Sequence, residues 1–158
     1  DERGYFFESF KQDELNDYLG YNINFYQDNE SESSYGVLRG LHYQINPYAQ
    51  SKLVRVIKGK VLDVSVDIRI GSPTFGKHLA VELSEENKKQ LFIPKGFAHG
   101  FVVLSETAIF CYKVDNYYDK ESDRGIAYND PNLEINWKIK NEDMKISNKD
   151  ITLPSLKF

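Results

Sequence analysis

Residues 60–70 read KVLDVSVDIRI, and this stretch decides the fold class. Apolar and polar side chains alternate along it, and in an extended chain alternate side chains point to opposite faces. One face then carries only apolar side chains, from Leu62, Val64, Val66 and Ile68. This period of two residues predicts a β-strand with one apolar face.

Short runs of strand-forming residues lie on both sides of this stretch. They are KLVRVI (52–57), KHLAVEL (77–83), KQLFI (89–93), GFVVL (100–104) and AIFCYKV (108–114). Glycine, proline or small polar residues separate them, as expected for tight turns. Many short strands with regular turns predict an all-β sandwich or barrel.

The rest of the chain adds little regular structure. Apolar residues recur at helical spacing only over residues 11–19, where one short helix is predicted. The polar run SESS at 31–34 is predicted to be a surface loop. No linker or internal repeat divides the chain, so residues 1–158 are predicted to form a single domain.

Composition narrows the function classes. The 158 residues carry a formal net charge of −4, so no basic face of the kind that binds nucleic acid is expected. The single cysteine, Cys111, excludes an internal disulfide and indicates a reducing compartment, the cytoplasm. No apolar run approaches the ~20 residues that cross a bilayer, so no membrane association is expected.

The three histidines, His42, His78 and His99, argue against a metal centre. A cupin metal site needs two histidines separated by one residue, then a carboxylate and a further histidine. Neither GLHYQ at 40–44 nor FAHGF at 97–101 contains such a pair. No metal ligand is therefore predicted, and a metal-dependent cupin is the lesser alternative.

The run VLRGLHYQ at 37–44 places a cation and a base in one predicted strand. His42 is a base that works near neutral pH, and the guanidinium of Arg39 suits phosphate. A regular strand would send these two side chains to opposite faces. A bulge at Gly40 would bring them to one side, which we state as a hypothesis. Alternatively, His42 is a packing residue and Arg39 a surface residue.

Four other positions are ambiguous when each is taken alone. Lys52 begins a strand, where lysine often protects a sheet edge. Tyr112 and Tyr118 could be packing residues with one hydrogen bond each. Asp150 lies in the run SNKD at 147–150, which could equally be a solvated loop.

Taken in order along the chain, a set of short motifs resembles the family of dTDP-4-dehydrorhamnose 3,5-epimerases. The motifs are DERGYFFE (1–8), QDN (27–29), VLRGLHYQ (37–44), KLV (52–54), DVSVDIR (63–69), SPTFG (72–76), IPKGFAHGF (93–101), YK (112–113), NYY (116–118) and NDP (129–131). The resemblance implies a cupin-like jelly roll (a double-stranded β-helix) with few short helices. It also implies a homodimer that uses no metal and no organic cofactor.

The resemblance implies four catalytic residues. His42 is expected to be the general base, Asp150 its carboxylate partner, and Tyr112 the acid on the opposite face of the sugar. Lys52 is expected beside the keto oxygen. An imidazole, with an ordinary pKa of about 6.5, suits the base, and a phenol, with an ordinary pKa of about 10, stays protonated at neutral pH.

The resemblance also implies a set of substrate contacts. Arg39 is expected to bind phosphate and Tyr118 to stack on the nucleobase. Arg3 and Glu8 are expected to reach into the site of the partner subunit. The remaining expected contacts are Gln27, Asp28, Asn29, His99, Asp123 and Lys149.

The implied function is epimerisation of C3 and C5 of dTDP-4-dehydro-6-deoxyglucose, a step of dTDP-rhamnose biosynthesis. Two features depart from the family: Asp123 stands where the family usually has Glu, and the strand that precedes the DERG motif in the family is missing before Asp1. A longer natural chain is therefore expected. The alternatives are inversion at a single carbon, a related nucleotide sugar as substrate, or a non-catalytic sugar-nucleotide binder.

Overall fold

The computed structural model describes residues 1–157 of the chain. It begins with helix α1 (Gln12–Leu19) and ends with the short helix α2 (Asn148–Ile151), which a 3₁₀ turn (Asn141–Asp143) precedes. The strands are β1 (Gln27–Ser34), β2 (Val37–Gln44), β3 (Lys52–Lys58), β4 (Lys60–Asp67), β5 (His78–Ser84), β6 (Gln90–Ile93), β7 (Phe97–Val103), β8 (Thr107–Val114), β9 (Asp123–Gly125) and β10 (Lys145–Ile146).

The strands form two sheets that face each other. The smaller sheet has the order β1-β8-β3-β6, and the larger has the order β10-β2-β7-β4-β5 with β9 added on β2. Every pairing is antiparallel except that of β10 with β2. Phe101 of β7 stacks on Phe110 of β8, with ring centroids 4.2 Å apart, and so joins the two sheets. The predicted all-β, cupin-like jelly roll is confirmed.

The larger sheet is covered on both faces. Its inner face shares a core with the smaller sheet, built around Val61, Phe101 and Phe110. Its outer face packs under residues 126–137, where Trp137 closes a second apolar cluster. The apolar face predicted for residues 60–70 is thus confirmed for β4, but its polar face is also buried because it lines the inside of the barrel.

The prediction of a surface loop at residues 31–34 is wrong. These residues are the second half of β1 and pair with β8, so that Ser31 lies opposite Phe110. The strand is polar on both faces because Glu30 and Glu32 face solvent while Ser31 and Ser33 face the barrel interior. Cross-strand pairing outweighs the weak strand propensity of these residues.

The predicted helix at residues 11–19 is confirmed as α1, which ends at Gly20 in the left-handed conformation that favours glycine. Within residues 1–157, no helix is both long enough and apolar enough to span a bilayer.

Candidate active site

A bulge in β2 turns the side chains of Arg39 and His42 into one cavity. Three steps along β2, from Arg39 to His42, match only two along β7, from Phe101 to His99. Gly40 supplies the extra residue at a φ of 121°. A Cβ atom there would lie 2.6 Å from the Cα atom of Gly100, so this close approach requires glycine. The hypothesised bulge is confirmed, and Arg39 and His42 line the same cavity.

His42 is held by a buried carboxylate. Its Nε2 atom lies 3.0 Å from Oδ1 of Asp150. The other oxygen of that carboxylate accepts the backbone N–H of Gly40 at 3.1 Å, and Ser147 caps α2 by accepting the N–H of Asp150. In the described part of the chain, no group hydrogen-bonds the other ring nitrogen, Nδ1. Nδ1 is therefore buried and unpaired within residues 1–157.

The environment of Asp150 keeps it ionised. Its side chain is only 5% exposed, and although the three residues before it are exposed, residues 148–150 belong to α2 and are not the loop that was left open as an alternative. Burial tends to raise the pKa of Asp150, but hydrogen bonds from His42, Gly40 and Ser147 outweigh it, and the pKa lies below its ordinary value.

Tyr112 and Lys52 enter the cavity from the opposite sheet. Tyr112 lies on β8, across from Val54 of β3, and Lys52 is two residues before Val54. The two side chains are therefore diagonal neighbours on one face. Burial lowers the pKa of Lys52 to about 8, although Asp63 and Asp123 act against this shift. Burial raises the pKa of Tyr112, and Asp123 adds to this while Arg39 opposes it.

The site is a cleft of two adjoining cavities, of about 500 Å³ and about 410 Å³. Both cavities are lined by Asn29, His42, Lys52, Tyr112 and Lys149. The larger also contains Arg39, His99 and Asp150, and the smaller contains Gln27, Tyr118 and Asp123. The cleft thus brings together eleven of the fourteen predicted site residues, which come from both sheets, from the loop between β8 and β9, and from α2.

The smaller cavity is ordered by a polar network. Lys149 pairs with Oδ2 of Asp123 at 2.5 Å, and the hydroxyl group of Tyr118 donates to the same oxygen at 3.3 Å. The hydrogen bond that Lys149 donates to Asp123 raises the pKa of Lys149. The side-chain oxygen of Gln27 accepts the backbone N–H of Tyr118 at 3.3 Å. An aromatic ring beside a fixed cation suits a nucleobase and its phosphates.

Three predicted contacts lie outside the cleft of their own chain. Arg3 pairs with Asp1 at the surface, and Glu8 lies 3.5 Å from the ammonium of Lys11. Asp28 points to the outer face of β1, because alternate residues of a strand face opposite ways, and there it pairs with Lys113 at 3.0 Å. Asp28 therefore does not reach the cavity that Gln27 and Asn29 line.

Several residues in the cleft or in contact with its lining were not predicted from the sequence. Asp63 is fully buried and lies 2.8 Å from Nε2 of His99. Ser33 accepts hydrogen bonds from the guanidinium of Arg39 at 3.2 and 3.3 Å. Lys145 of β10 also lines the larger cavity. Only Asp63 could have been found from the sequence, because it is an acidic residue in the middle of a predicted strand rich in valine.

Burial lowers the pKa of His99, although Asp63 opposes this shift, so the buried ring is held neutral near neutral pH.

Among residues 1–157, no three side chains of His, Cys, Asp or Glu are arranged so that they could hold a metal ion.

Comparisons with known proteins extend these observations. The family model for dTDP-4-dehydrorhamnose 3,5-epimerase matches residues 1–157. The dTDP-4-dehydrorhamnose 3,5-epimerase of Shigella flexneri is 56% identical over 151 residues, which are 96% of this chain and 82% of the relative.

Two solved structures are similar throughout. The crystal structure of dTDP-6-deoxy-D-glucose-3,5-epimerase RmlC from Legionella pneumophila, in complex with dTDP-4-keto-L-rhamnose, has a TM-score of 0.94 at 52% identity and covers 99% of this chain and 82% of that one. ChmJ, a 3′-monoepimerase from Streptomyces bikiniensis in complex with dTDP-quinovose, has a TM-score of 0.90 at 32% identity and covers 99% of this chain and 78% of that one.

Proposed function

The chain belongs to the dTDP-4-dehydrorhamnose 3,5-epimerase family, and on that premise we propose that it inverts C3 and C5 of dTDP-4-dehydro-6-deoxyglucose. The reaction class is that of an isomerase acting on a carbohydrate. A proton is removed from each carbon beside the 4-keto group and returned on the opposite face of the ring. The reaction needs a base, an acid across the ring and a cation at the ketone.

One observation carries the proposal: His42 and Tyr112 line the same cavity from opposite sheets. Inversion needs a proton donor on the face of the ring opposite the base, whereas simple exchange needs only the base. A sugar ring between the two sheets would meet an imidazole on one side and a phenol on the other. Proton removal and return on opposite faces follow from this placement.

His42 acts as the base through its free ring nitrogen. Asp150 accepts from Nε2 and so fixes the tautomer in which Nδ1 is unprotonated. When Nδ1 takes the proton from carbon, the carboxylate stabilises the imidazolium that forms. The imidazolium then loses its proton to water before the next turnover.

Lys52 stabilises the charge that develops on the keto oxygen. Loss of a proton beside the ketone leaves an enolate, whose negative charge lies largely on oxygen. A fixed cation at that oxygen lowers the barrier by about 3 kcal/mol. Because Lys52 and Tyr112 are neighbours on one sheet, the cation and the acid approach the ring from the same side.

Tyr112 returns the proton. Its raised pKa keeps the phenol protonated at neutral pH, so it is available as a donor to the enolate carbon. The phenolate left behind is close to Lys52 and is reprotonated from solvent through the open side of the cleft.

The nucleotide supplies most of the binding energy, which positions the sugar for both transfers. Arg39 and Lys149 bind the diphosphate, and Tyr118 stacks on the base. Gln27, Asn29, Asp123 and His99 supply further polar contacts. Arg3 and Glu8 belong to the same proposal as contacts across a homodimer, where they extend from a second copy of the chain.

We place this single-domain enzyme, residues 1–158, in the cytoplasm. Its only cysteine, Cys111, is a free thiol. Burial, with the nearby Glu30, raises the pKa of the Cys111 thiol to about 11, which suppresses the reactive thiolate.

Incubation with dTDP-4-dehydro-6-deoxyglucose in deuterated water tests the function. We expect deuterium at both C3 and C5 and formation of the product inverted at both carbons, as followed by NMR. Turnover should survive treatment with a chelator, since no metal takes part in the proposed steps. An enzyme that exchanges neither carbon would contradict the proposal.

Inversion at one carbon is the second candidate. It is favoured by the similarity to ChmJ, whose structure differs little in fold although it is described as a 3′-monoepimerase. The same NMR experiment separates the two, because a monoepimerase yields a product inverted at C3 alone.

A further inference from the structure

Two carboxylates are buried on the inner face of β4, and their surroundings differ. Asp63 and Asp67 are four residues apart, and their side chains are 0% and 1% exposed. Asp67 is saturated with donors: Ser72 and Thr74 each donate at 2.6 Å, and Arg69 donates to both of its oxygens. This pattern is that of a carboxylate which holds a loop in place.

Asp63 has only one such partner. Its Oδ2 atom lies 2.8 Å from Nε2 of His99, and no group in residues 1–157 hydrogen-bonds its Oδ1 atom. The pairing of β4 with β7 sets this contact, because Phe101 lies opposite Asp63 and His99 is two residues away on the same face. A purely structural carboxylate would be expected to have both oxygens paired, as Asp67 has.

The partner of Asp63 is itself part of the cleft wall. His99 lines the larger cavity, and its ring stacks on Phe110 with centroids 6.0 Å apart. Because Nε2 is engaged by Asp63, only Nδ1 is left to meet a ligand. Asp63 therefore decides which ring nitrogen of His99 carries the hydrogen.

Asp63 also acts on Lys52. Burial removes water from this ammonium and lowers its pKa, while the charges of Asp63 and Asp123 act in the opposite direction, with Asp63 the stronger of the two. Besides Asp123, the titratable or charged groups lining the cleft around Lys52 are Glu30, Arg39, His42, Tyr43, His99, Tyr112, Tyr118, Lys145, Lys149 and Asp150. Of these groups Glu30 and Asp150 are carboxylates; Asp150 pairs with His42, and Glu30 is exposed on β1.

We infer that Asp63 is a positioning residue for the epimerisation: it holds His99 with its hydrogen on Nε2 so that Nδ1 accepts a sugar hydroxyl. This inference rests on the proposed function, because it assigns Asp63 to the support of the same cleft. Asp63 does not touch the reacting atoms. It acts through His99.

The charge of Asp63 is tested by Asp63→Asn, which keeps the shape of the side chain. We expect the C–H exchange rate at neutral pH to fall about 100-fold while the affinity for dTDP is retained. In the pH profile of kcat/KM, the fall on the alkaline side (the alkaline limb) should move to lower pH by about one unit. Loss of a nearby anion lowers the pKa of Lys52, on which this fall depends.

The matched control is Asp67→Asn, which removes a second buried carboxylate from the same face of the same strand. It should lower thermal stability but leave the position of the alkaline limb unchanged. If both variants shift the limb equally, or if Asp63→Asn leaves both the rate and the limb unchanged, the inference is wrong.

The tautomer of His99 is tested in the wild-type enzyme without any variant. ¹⁵N NMR of the imidazoles should identify a neutral ring with hydrogen on Nε2 and none on Nδ1. Hydrogen on Nδ1 would contradict the inference. A wild-type enzyme with this tautomer but without exchange of the substrate would overturn the proposed function instead, so the two failures are distinguishable.

Discussion

Nε2 of His42 lies 3.0 Å from Oδ1 of Asp150, although strand β2 and helix α2 lie near opposite ends of the chain. The carboxylate is fixed before any substrate arrives, since the N–H of Gly40 holds its second oxygen and the capped turn at Ser147 holds its backbone. The imidazole is thereby oriented in the free protein. A base that is oriented in advance loses little entropy at the moment of proton transfer.

The first prediction concerns this pair. Asp150→Asn should lower the rate of deuterium exchange at both carbons by about 100-fold or more, because an amide neither fixes the reactive tautomer nor stabilises the imidazolium. His42→Ala should abolish exchange. The measurement is exchange monitored by NMR in deuterated water.

The control for this prediction is Asp130→Asn. Asp130 is also a buried carboxylate, but it accepts backbone N–H groups of Asn132 and Leu156 away from the cleft. It should retain exchange in whatever fraction of the protein is folded. An Asp150→Asn variant that exchanges at the wild-type rate would contradict the assigned role.

The second prediction separates exchange from inversion. Tyr112→Phe removes the donor on one face but leaves His42 in place, so deuterium should still enter the substrate while epimerised product is lost. Tyr18→Phe, at an exposed position on α1, should behave as wild type. Full epimerisation by Tyr112→Phe would show that another group returns the proton.

The third prediction concerns the diphosphate. Arg39→Ala should weaken the affinity for dTDP about 10- to 100-fold, the range expected for a lost charge-assisted hydrogen bond. Its effect on turnover at saturating substrate should be small. Arg55→Ala, at the outer-face cavity beside Asp28 and Lys113, is the control and should leave dTDP affinity unchanged when both are measured by calorimetry.

The fourth prediction follows from Lys52. Its ammonium must be charged to stabilise the enolate, and its pKa is about 8, so kcat/KM should fall as the pH rises through about 8. Lys52→Gln should be slow at every pH and lack this limb. A wild-type profile that stays flat up to the ordinary lysine pKa of about 10.4 would contradict the role of Lys52.

The fifth prediction is about stability in acid. Hydrogen bonds from Arg69, then Ser72 and Thr74, hold the pKa of Asp67 well below its ordinary value. A carboxyl group with a lowered pKa in the folded state stabilises the fold above its ordinary range and loses that contribution as the pH falls.

The free energy of unfolding should therefore decrease as the pH drops below about 4, by about 2 kcal/mol from this group. Asp67→Asn should be less stable at neutral pH and show a shallower acid dependence. Urea titrations from neutral to acidic pH measure both. Equal acid dependence in the two proteins would contradict this account of Asp67.

Much of the fold could be predicted from the sequence because most strands pack one face on an apolar core. That packing imposes the period of two residues seen in β4 and β8. The strand at residues 31–34 was not predicted because β1 is an outer strand of its sheet and its inner face lines a polar cleft. Neither face of the strand therefore requires apolar residues. Strand polarity is a poor guide where a sheet faces a binding site rather than a core.

Eleven of the fourteen residues expected in the site line the cleft, but their arrangement could not be predicted. The proximity of Arg39 and His42 depends on one extra residue at Gly40, and the contact of Asp63 with His99 depends on the register between β4 and β7. Neither the bulge nor the strand register can be predicted from the residues next to these positions in the sequence. Arg3 and Glu8 are placed by a single chain at its own surface, so their expected role depends on a second copy.

A crystal structure with a bound dTDP-linked 6-deoxysugar tests the central claim most directly. The account predicts a sugar ring between His42 and Tyr112, with the imidazole facing one side of the ring, the phenol facing the other, and the ammonium of Lys52 in hydrogen-bond contact with the oxygen at C4. A ring that meets both side chains on the same face, or that lies outside the cleft, would contradict it.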